Sequence, residues 1–582
     1  MTGSASAEAG RGAKLRLSAR VWLPALALIA YPGAGVLAAR AQEASPSLPD
    51  SAVHEVSARG PERYGPVTDS VLIARCEGLP IRRVDVSCLD IFDPVPAGRM
   101  NGFYNLANQL HVRTRERTVR SQLLLAAGDV WRAERVRETE RLLRGLEFIE
   151  PDPVLSRRMG DSVDVLVVTH DQWTTQPELN LERGGGRTYG SIGFHERNLL
   201  GLGVGLAFAF REDPTGQTRT GSISGRRLFG TQLEGQYQAG TGQGGVSNAV
   251  SLRDPFRSLD DPLSWAVSLW RADFNHQLFK DGSLAAEFPF AFQMNHFEWS
   301  TGSRAPDGLV RRFALTFVRH DRTYGPTENE PGFEGTFPGG NEELRLRWVS
   351  GRALFWRPRY VVRRAVDLFD PAEDFDLGDI VELEGGVILR AFGSTANEGL
   401  VRARLEAGRE TRRFGFGYAR GRMSTRLRGD PLETMATLDA RWIQQPARDL
   451  AIVLAAYGQA AAEAPREVQY VIGGLNGLRA YPVQALAGTQ VWRFNAETRW
   501  IAARGIADIA SIGGALFVDA ARAWGPGGDR EPWHHDAGFG LRVSFPHASL
   551  HQVARIDVAF PLSPSRDGKR EPVFSFGSSQ AF

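Results

Sequence analysis

What this chain has little of removes whole classes of function. Cysteine is almost absent: Cys76 and Cys88 are the only two in 582 residues. Their C-x(11)-C spacing, with no clustered His, is poor for zinc. A structural bridge between Cys76 and Cys88, or a pair of thiols, is favoured over a metal site. Charge of one sign is also missing. The 69 Lys and Arg against 67 Asp and Glu leave a formal +2, which argues against a dedicated nucleic-acid binder. Beyond residue 41 no apolar run approaches the ~20 residues of a membrane-spanning helix. That leaves a membrane barrel open, because barrel strands carry their hydrophobicity in alternation. Catalytic signatures are absent as well. The run Gly221–Gly225 has Ile223 where a nucleophile elbow needs Ser. His534-His535-Asp536 beside Trp533 lacks a distant ligand cluster and reads as a solvated loop. No enzymatic activity, metal or cofactor is expected.

What is present begins with a basic leader, Arg11, Lys14, Arg16 and Arg20, then an apolar stretch from Val21 to Leu37 broken by Pro24 and Pro32. Ala39-Arg40-Ala41 supplies a small-residue cleavage pattern. Residues 1–41 therefore read as a signal peptide for export. Residues 42–75, rich in Ser, Pro, Ala and charge without periodicity, read as a flexible linker.

Residues 76–175 read as a small α/β unit of order β-α-α-β-β. A strand is expected over Ile81–Val86. One helix follows Thr114 as N-cap and stops at Gly128, and a second covers about Arg132 to Leu146 with Val136, Leu143 and Leu146 on one face. Two further strands flank Gly160-Asp161. From about 176 to 582 the chain breaks into alternating segments separated by Gly, Asp, Asn and Pro. Val204, Leu206, Phe208 and Phe210 alternate with small or polar residues, and similar runs recur around 263–274, 312–320, 344–356 and 450–457. The expected fold class is an all-β transmembrane barrel of about sixteen antiparallel strands behind the α/β unit. Residues 321–342 and 367–377 are expected as extracellular loops. In the last segment Phe574, Phe576 and the terminal Phe582 share one parity, opposite Ser575, Gly577 and Ser579.

The stretch that organises the chain is Val471–Trp500. It holds Gly473-Gly474, a loop tip Leu478-Arg479-Ala480-Tyr481, and then a strand whose parity separates Arg493, Asn495, Glu497 and Arg499 from Trp492, Phe494, Ala496, Thr498 and Trp500. A polar face opposite a bulky apolar face is the barrel pattern of lumen against lipid. Parity also turns Asp519, and further round Asp557, toward the lumen.

These residues, with Phe517-Val518-Asp519, Gly538-Phe539-Gly540-Leu541-Arg542, Arg555-Ile556-Asp557 and Gly193–Gly201, resemble the BamA/TamA superfamily of outer-membrane assembly factors, the bacterial surface antigen family, together with two-partner secretion transporters. The phrases TRERTVRSQLLLAAGD and ERLLRGLEFIEP resemble a polypeptide-transport-associated (POTRA) domain. The resemblance implies insertion of other barrels, or passage of polypeptide, at the outer membrane of a Gram-negative-type bacterium, with the α/β unit in the periplasm. Its partners would be outer-membrane lipid, unfolded polypeptide clients, and the barrel-assembly machinery that reads Phe574, Phe576 and Phe582 during its own insertion. It also implies that Arg479 pairs with an acidic residue of the 517–519 strand, Asp519 first and Glu497 second. The plainer reading is that these charges only wet a water-filled lumen, and a passive porin is the rival function. One departure is Ala480, where the family usually has Gly; a position needing φ > 0 would strain Ala.

Overall fold

The computed structural model describes residues 64–96, 100–184, 187–213, 216–242, 244–411, 415–474, 477–525, 532–548, 553–564 and 571–578. The leader, its cleavage pattern and Phe582 lie outside the described residues.

The α/β unit begins earlier than its sequence suggests. Asp69 caps a helix, α1 (Ser70–Cys76), by accepting from the backbone N–H groups of Val71 and Leu72. Just before it, β1 (Gly65–Pro66) pairs with the later strand β4 (Leu155–Met159). Residues 64–75, expected as linker, are thus part of the folded unit, with Val67 and Leu72 in its core. Then come β2 (Ile81–Leu89), α2 (Asn101–Leu110), α3 (Glu116–Arg120), α4 (Ala133–Arg144), β3 (Ile149–Pro151) and β5 (Ser162–Asp171). The sheet runs β1-β4-β5-β2, with β2 parallel to β5 and β3 against the end of β5. Helix α4 exists because Val136 and Leu143 fall on one stripe and bury completely, while Arg141 and Arg144 sit in its last turn, facing the negative end of its dipole. The helix expected after Thr114 is only one turn, and its N-cap is Arg115. Cys76 and Cys88 are separate thiols, with no bridge between them.

The remainder is a closed antiparallel barrel of twenty strands, from Thr175–Gly184 to Val573–Ser578, not sixteen. The strands least marked in the sequence are Gly216–Gly225, Glu234–Gly242 and Gly245–Asp254. These are rich in Gly, Ser, Thr and Gln and carry few outward apolar side chains, so their alternation is faint. Twenty is even, as single-chain bacterial barrels require. Outward positions form the apolar belt: Ile192, Phe208, Leu315, Leu383, Leu405 and Leu516 are exposed. Inward positions on the same strands are charged and buried, as in Glu497 beside Phe494 and Asp519 beside Val518. No described helix is long and apolar enough to cross a membrane.

Residues 367–377 are not a loop of the far end. They belong to a hairpin, Tyr360–Arg363 against Glu373–Asp376, that joins two barrel strands at the end where the α/β unit sits. Arg144 of α4 reaches Asp374 at 3.6 Å and Arg141 lies over the Tyr360 ring. Residues 325–341 do form a far-end loop.

Candidate functional site

Between the strand Leu450–Ala462 and the strand Gln490–Ile506 the chain leaves the wall at the far end and folds back into the lumen. Its base is a two-stranded ribbon, Tyr470–Ile472 with Leu486–Gly488. Two glycines shape the descent. Gly473 has φ +142°, and a Cβ there would stand 2.0 Å from the Pro482 carbonyl; Gly477 has φ +81° and abuts the Arg493 side chain. Gly474 accepts a similar backbone and donates its N–H to the Tyr481 carbonyl at 2.8 Å. Leu478, Ala480 and Tyr481 pack with Ile472, Leu486, Phe517 and Ala521. Ala480 lies outside the positive-φ set, so the strain foreseen for it is absent. Its N–H instead donates to Asp536 Oδ2 at 2.9 Å.

The Arg479 side chain has no exposed surface. Its Nε and Nη2 donate to Asp519 Oδ2 and Oδ1 at 2.7 and 2.9 Å, the bidentate fork that planar guanidinium favours. Nη1 donates to Glu497 Oε2 at 2.7 Å, and Asp557 Oδ2 lies 3.7 Å away. The guanidinium stacks 3.3 Å over the Phe517 ring. Asn495 donates one amide to both Asp519 Oδ1 and the Gly477 carbonyl, joining wall and loop.

Around this centre Arg499, Arg542 and Arg555 are also buried. Arg542 donates to Asp557 Oδ1 at 2.5 Å and Arg555 to Asp557 Oδ2 at 3.2 Å. Four guanidiniums (Arg479, Arg499, Arg542, Arg555) thus face four carboxyl groups (Glu497, Asp519, Asp536, Asp557) inside one patch of wall. Such a set is costly to desolvate and holds only with complementary geometry; removing one member strands the others. The set also continues toward the other end. Glu497 Oε1 accepts from Arg499 Nε at 2.8 Å, and Arg499 Nη1 donates to the Val366 carbonyl and to Asp367 Oδ1 at 2.8 and 2.9 Å. Asp367 in turn takes the fork of Arg441. An unbroken run of ion pairs therefore links the loop tip to the opposite hairpin.

Sequence parity brought Arg479, Glu497, Asp519 and Asp557 into view. Phe517, Asn495, Arg499, Arg542 and Arg555 lie in the motifs that carry the family resemblance, which by themselves give them no part in holding Arg479. Asp536 was read as solvated loop; it is buried in a strand, His534–Ser544, and is the register partner of Asp519. The signal lay in parity, since residues 536, 538, 540 and 542 alternate with outward Phe539 and Leu541. Phe574 points outward and Ser575 inward in the last strand. Among the described residues no group of His, Cys, Asp and Glu is arranged to hold a metal.

Residues 422–582, which contain this loop and every strand it touches on the C-terminal side, match the family model described as the Omp85 superfamily domain. Its C-terminal part is therefore similar to an Omp85 domain. This match and the closed barrel with its apolar exterior imply an outer-membrane location. No curated protein matches the chain. Among solved structures, BamA from Haemophilus ducreyi lacking POTRA domains 1-3 aligns at 12% identity over 86% of this chain and 85% of its own, with TM-score 0.38. CdiB from Acinetobacter baumannii aligns at 11% identity over 86% and 74%, TM-score 0.39. CdiB from Escherichia coli aligns at 11% over 89% and 80%, TM-score 0.40.

Proposed function

We propose that this protein is a non-enzymatic assembly or translocation factor for polypeptide, with its POTRA-like α/β unit in the periplasm. The observation that carries the reading is the seam. Among the described residues the last and first barrel strands share three register pairs, Phe574↔Arg183, Ser575↔Glu182 and Phe576↔Leu181. Interior neighbours such as Val310–Tyr324 and Glu342–Arg357 share fifteen. Parting the seam therefore breaks few hydrogen bonds, and the opened edge of Thr175–Gly184 is a template for a client strand. The free energy would come from client folding and burial in lipid.

In this reading the Arg479 fork to Asp519 holds the loop inside the lumen. The lumen keeps a cavity of 660 Å³ lined by Trp270, Phe292, Glu298 and Arg352 and roofed by Gln122 and Leu142 of the α/β unit. A roofed lumen suits a gated factor better than a passive porin.

The test is a seam lock. Cysteines at positions 182 and 575 (E182C with S575C, in a C88S background) are oxidised in cells that depend on the protein. Assembly of other barrels, or export of polypeptide, should stop on oxidation and return on reduction. Undiminished function with the seam locked would sink lateral opening. Normal barrel assembly together with lost solute uptake in cells lacking the protein would replace assembly by a channel.

A further inference from the structure

Helix α2 has a composition unlike its surroundings. Its ten residues, NGFYNLANQL, include no charged side chain in a chain that is 23% charged. Phe103, Leu106 and Leu110 are exposed at spacing i, i+3, i+7, so they form one stripe, extended by Met100 before the helix and Val112 after it. The neighbouring flank is tied down. Tyr104 and Ala107 are buried with Ile91 and Phe92 and pack on Trp173 and Ile509. The Tyr104 hydroxyl donates to the Ala507 carbonyl at 2.6 Å, and the Asn108 amide both accepts from and donates to the Phe92 backbone, at 3.1 and 2.9 Å.

What α2 is tied to decides what covers the stripe. The Phe92 ring packs tilted against His547, centroids 4.7 Å apart, and the His547 carbonyl accepts the Trp173 N–H at 2.7 Å. His547 lies two residues beyond Phe545. Phe545 continues the outward column of Phe539 and Leu541 on the strand above, and all are exposed. Ala507 follows Ile506, which is also exposed at the end of its strand. The helix is thus clamped to the lower ends of wall strands whose outer faces are apolar and exposed, so its uncovered apolar stripe lies beside the lower edge of that belt. A client strand would look for a sheet edge, which a helix does not offer.

We propose that α2 is a membrane-contact helix: Phe103, Leu106 and Leu110 rest among the acyl chains of the periplasmic leaflet and seat the α/β unit against the bilayer. Helices that lie on a membrane bury their apolar face about 5–10 Å into the headgroup and acyl boundary. The stripe carries no basic residue, so contact depends on apolar burial rather than on anionic lipid. The periplasmic assignment rests on the reading proposed above; the lipid contact itself does not.

The experiment places a nitroxide label at Leu106→Cys, and separately at Gln109→Cys on the polar flank, in the full-length protein with Cys88→Ser. The native Cys76 is buried in the core and shielded from the label. The protein is reconstituted in phosphatidylethanolamine and phosphatidylglycerol vesicles, and collision with oxygen is compared with collision with a water-soluble nickel chelate. The label at 106 should favour oxygen several-fold over the label at 109, and halving the phosphatidylglycerol should leave that ratio unchanged. Equal, nickel-dominated exposure at both positions overturns the proposal, as does dipolar broadening that shows two labels meeting in a dimer. Vesicles report lipid contact whichever face the unit occupies. Failure here is therefore separable from a wrong periplasmic assignment, which protease access to the α/β unit in whole cells would expose.

Discussion

Arg479 touches more than the single partner that a loop anchor needs. With Asp519, Glu497 and Asp557 around it and Phe517 beneath it, a two-residue charge exchange is the wrong test. Arg479→Asp combined with Asp519→Arg would set the new carboxylate against Glu497 and Asp557, so the double exchange should fail to restore function. Arg479→Ala should free the loop at a local cost of about 3–5 kcal/mol, the usual penalty for stranding buried charges. The barrel should still fold, because its ladder hydrogen bonds are untouched. Protease added outside intact cells should then cut within 470–488, and the heat-modifiable barrel band should persist; an uncut loop would show that Arg479 does not hold it. Ala480 gives the opposite expectation. Its backbone is not left-handed, so Ala480→Gly gains no strain relief and costs at most about 1 kcal/mol through the unfolded chain. Equal protection of the loop in A480G and wild type is the check. At this scale the sequence was informative where parity ran unbroken, as from Trp492 to Trp500, and misleading where a motif position was judged by residue type alone, as at Ala480 and Asp536.

Among the elements, the hairpin Tyr360–Asp376 shows why strand counting matters for placement. With the count set at about sixteen instead of twenty, the side on which each later loop lies is undetermined, and residues 367–377 read as an outer loop. The contacts of Asp374 with Arg144 put them at the end of the α/β unit. Asp367 takes guanidiniums from both Arg441 and Arg499, so Asp367→Ala should loosen the hairpin. Faster hydrogen exchange over 360–376 is the expected result. If the ion-pair run through Glu497 transmits, exchange at 478–481 should rise with it; a rise confined to the hairpin would show the two ends to be independent. A second element, β5, carries a pH dependence. Burial raises the Asp164 carboxyl, but hydrogen bonds from Arg82 and Arg157 outweigh it and leave the group below the usual carboxylate range. A carboxyl depressed in the folded state stabilises above its unfolded pKa of about 4 and loses that contribution as pH falls through the folded value. Acidification below about pH 4 should therefore expose residues 64–171 to protease sooner in wild type than the barrel, and Asp164→Asn should be weaker at neutral pH with a flatter acid response. The helices α1 and α2 were missed in sequence for a physical reason: α1 is short and follows a Pro- and Ser-rich run, and the outward apolar stripe of α2 looks like no ordinary core face.

For the whole molecule the decisive fact is that the α/β unit crosses the barrel mouth and is held on opposite sides. On one side Arg257 donates to the Gln122 carbonyl at 2.6 Å, Ser258 to Glu138 at 2.7 Å, and Asn198 to Thr114 at 2.7 Å. Near there Gly201, φ +71°, comes so close that a Cβ would stand 2.5 Å from the Arg113 carbonyl. On the other side Tyr104 holds Ala507 and Phe92 packs against His547. Each such contact contributes about 0.5–1.5 kcal/mol net, or up to ~3 where a charged group takes part. Losing one side leaves the other to hold the unit at high effective concentration over the mouth. Arg257→Ala or Tyr104→Phe alone should therefore leave conductance in planar bilayers close to wild type. The pair acts on distant sites without shared partners, so its effects on docking energy should add, while its effect on opening should exceed the sum of the two single changes. A double variant that conducts no better than wild type would mean that the inward loop at Arg479 closes the lumen by itself. Adding Arg479→Ala to that double variant should then open it, and the order in which the two barriers yield would say which of them is the outer gate of the lumen.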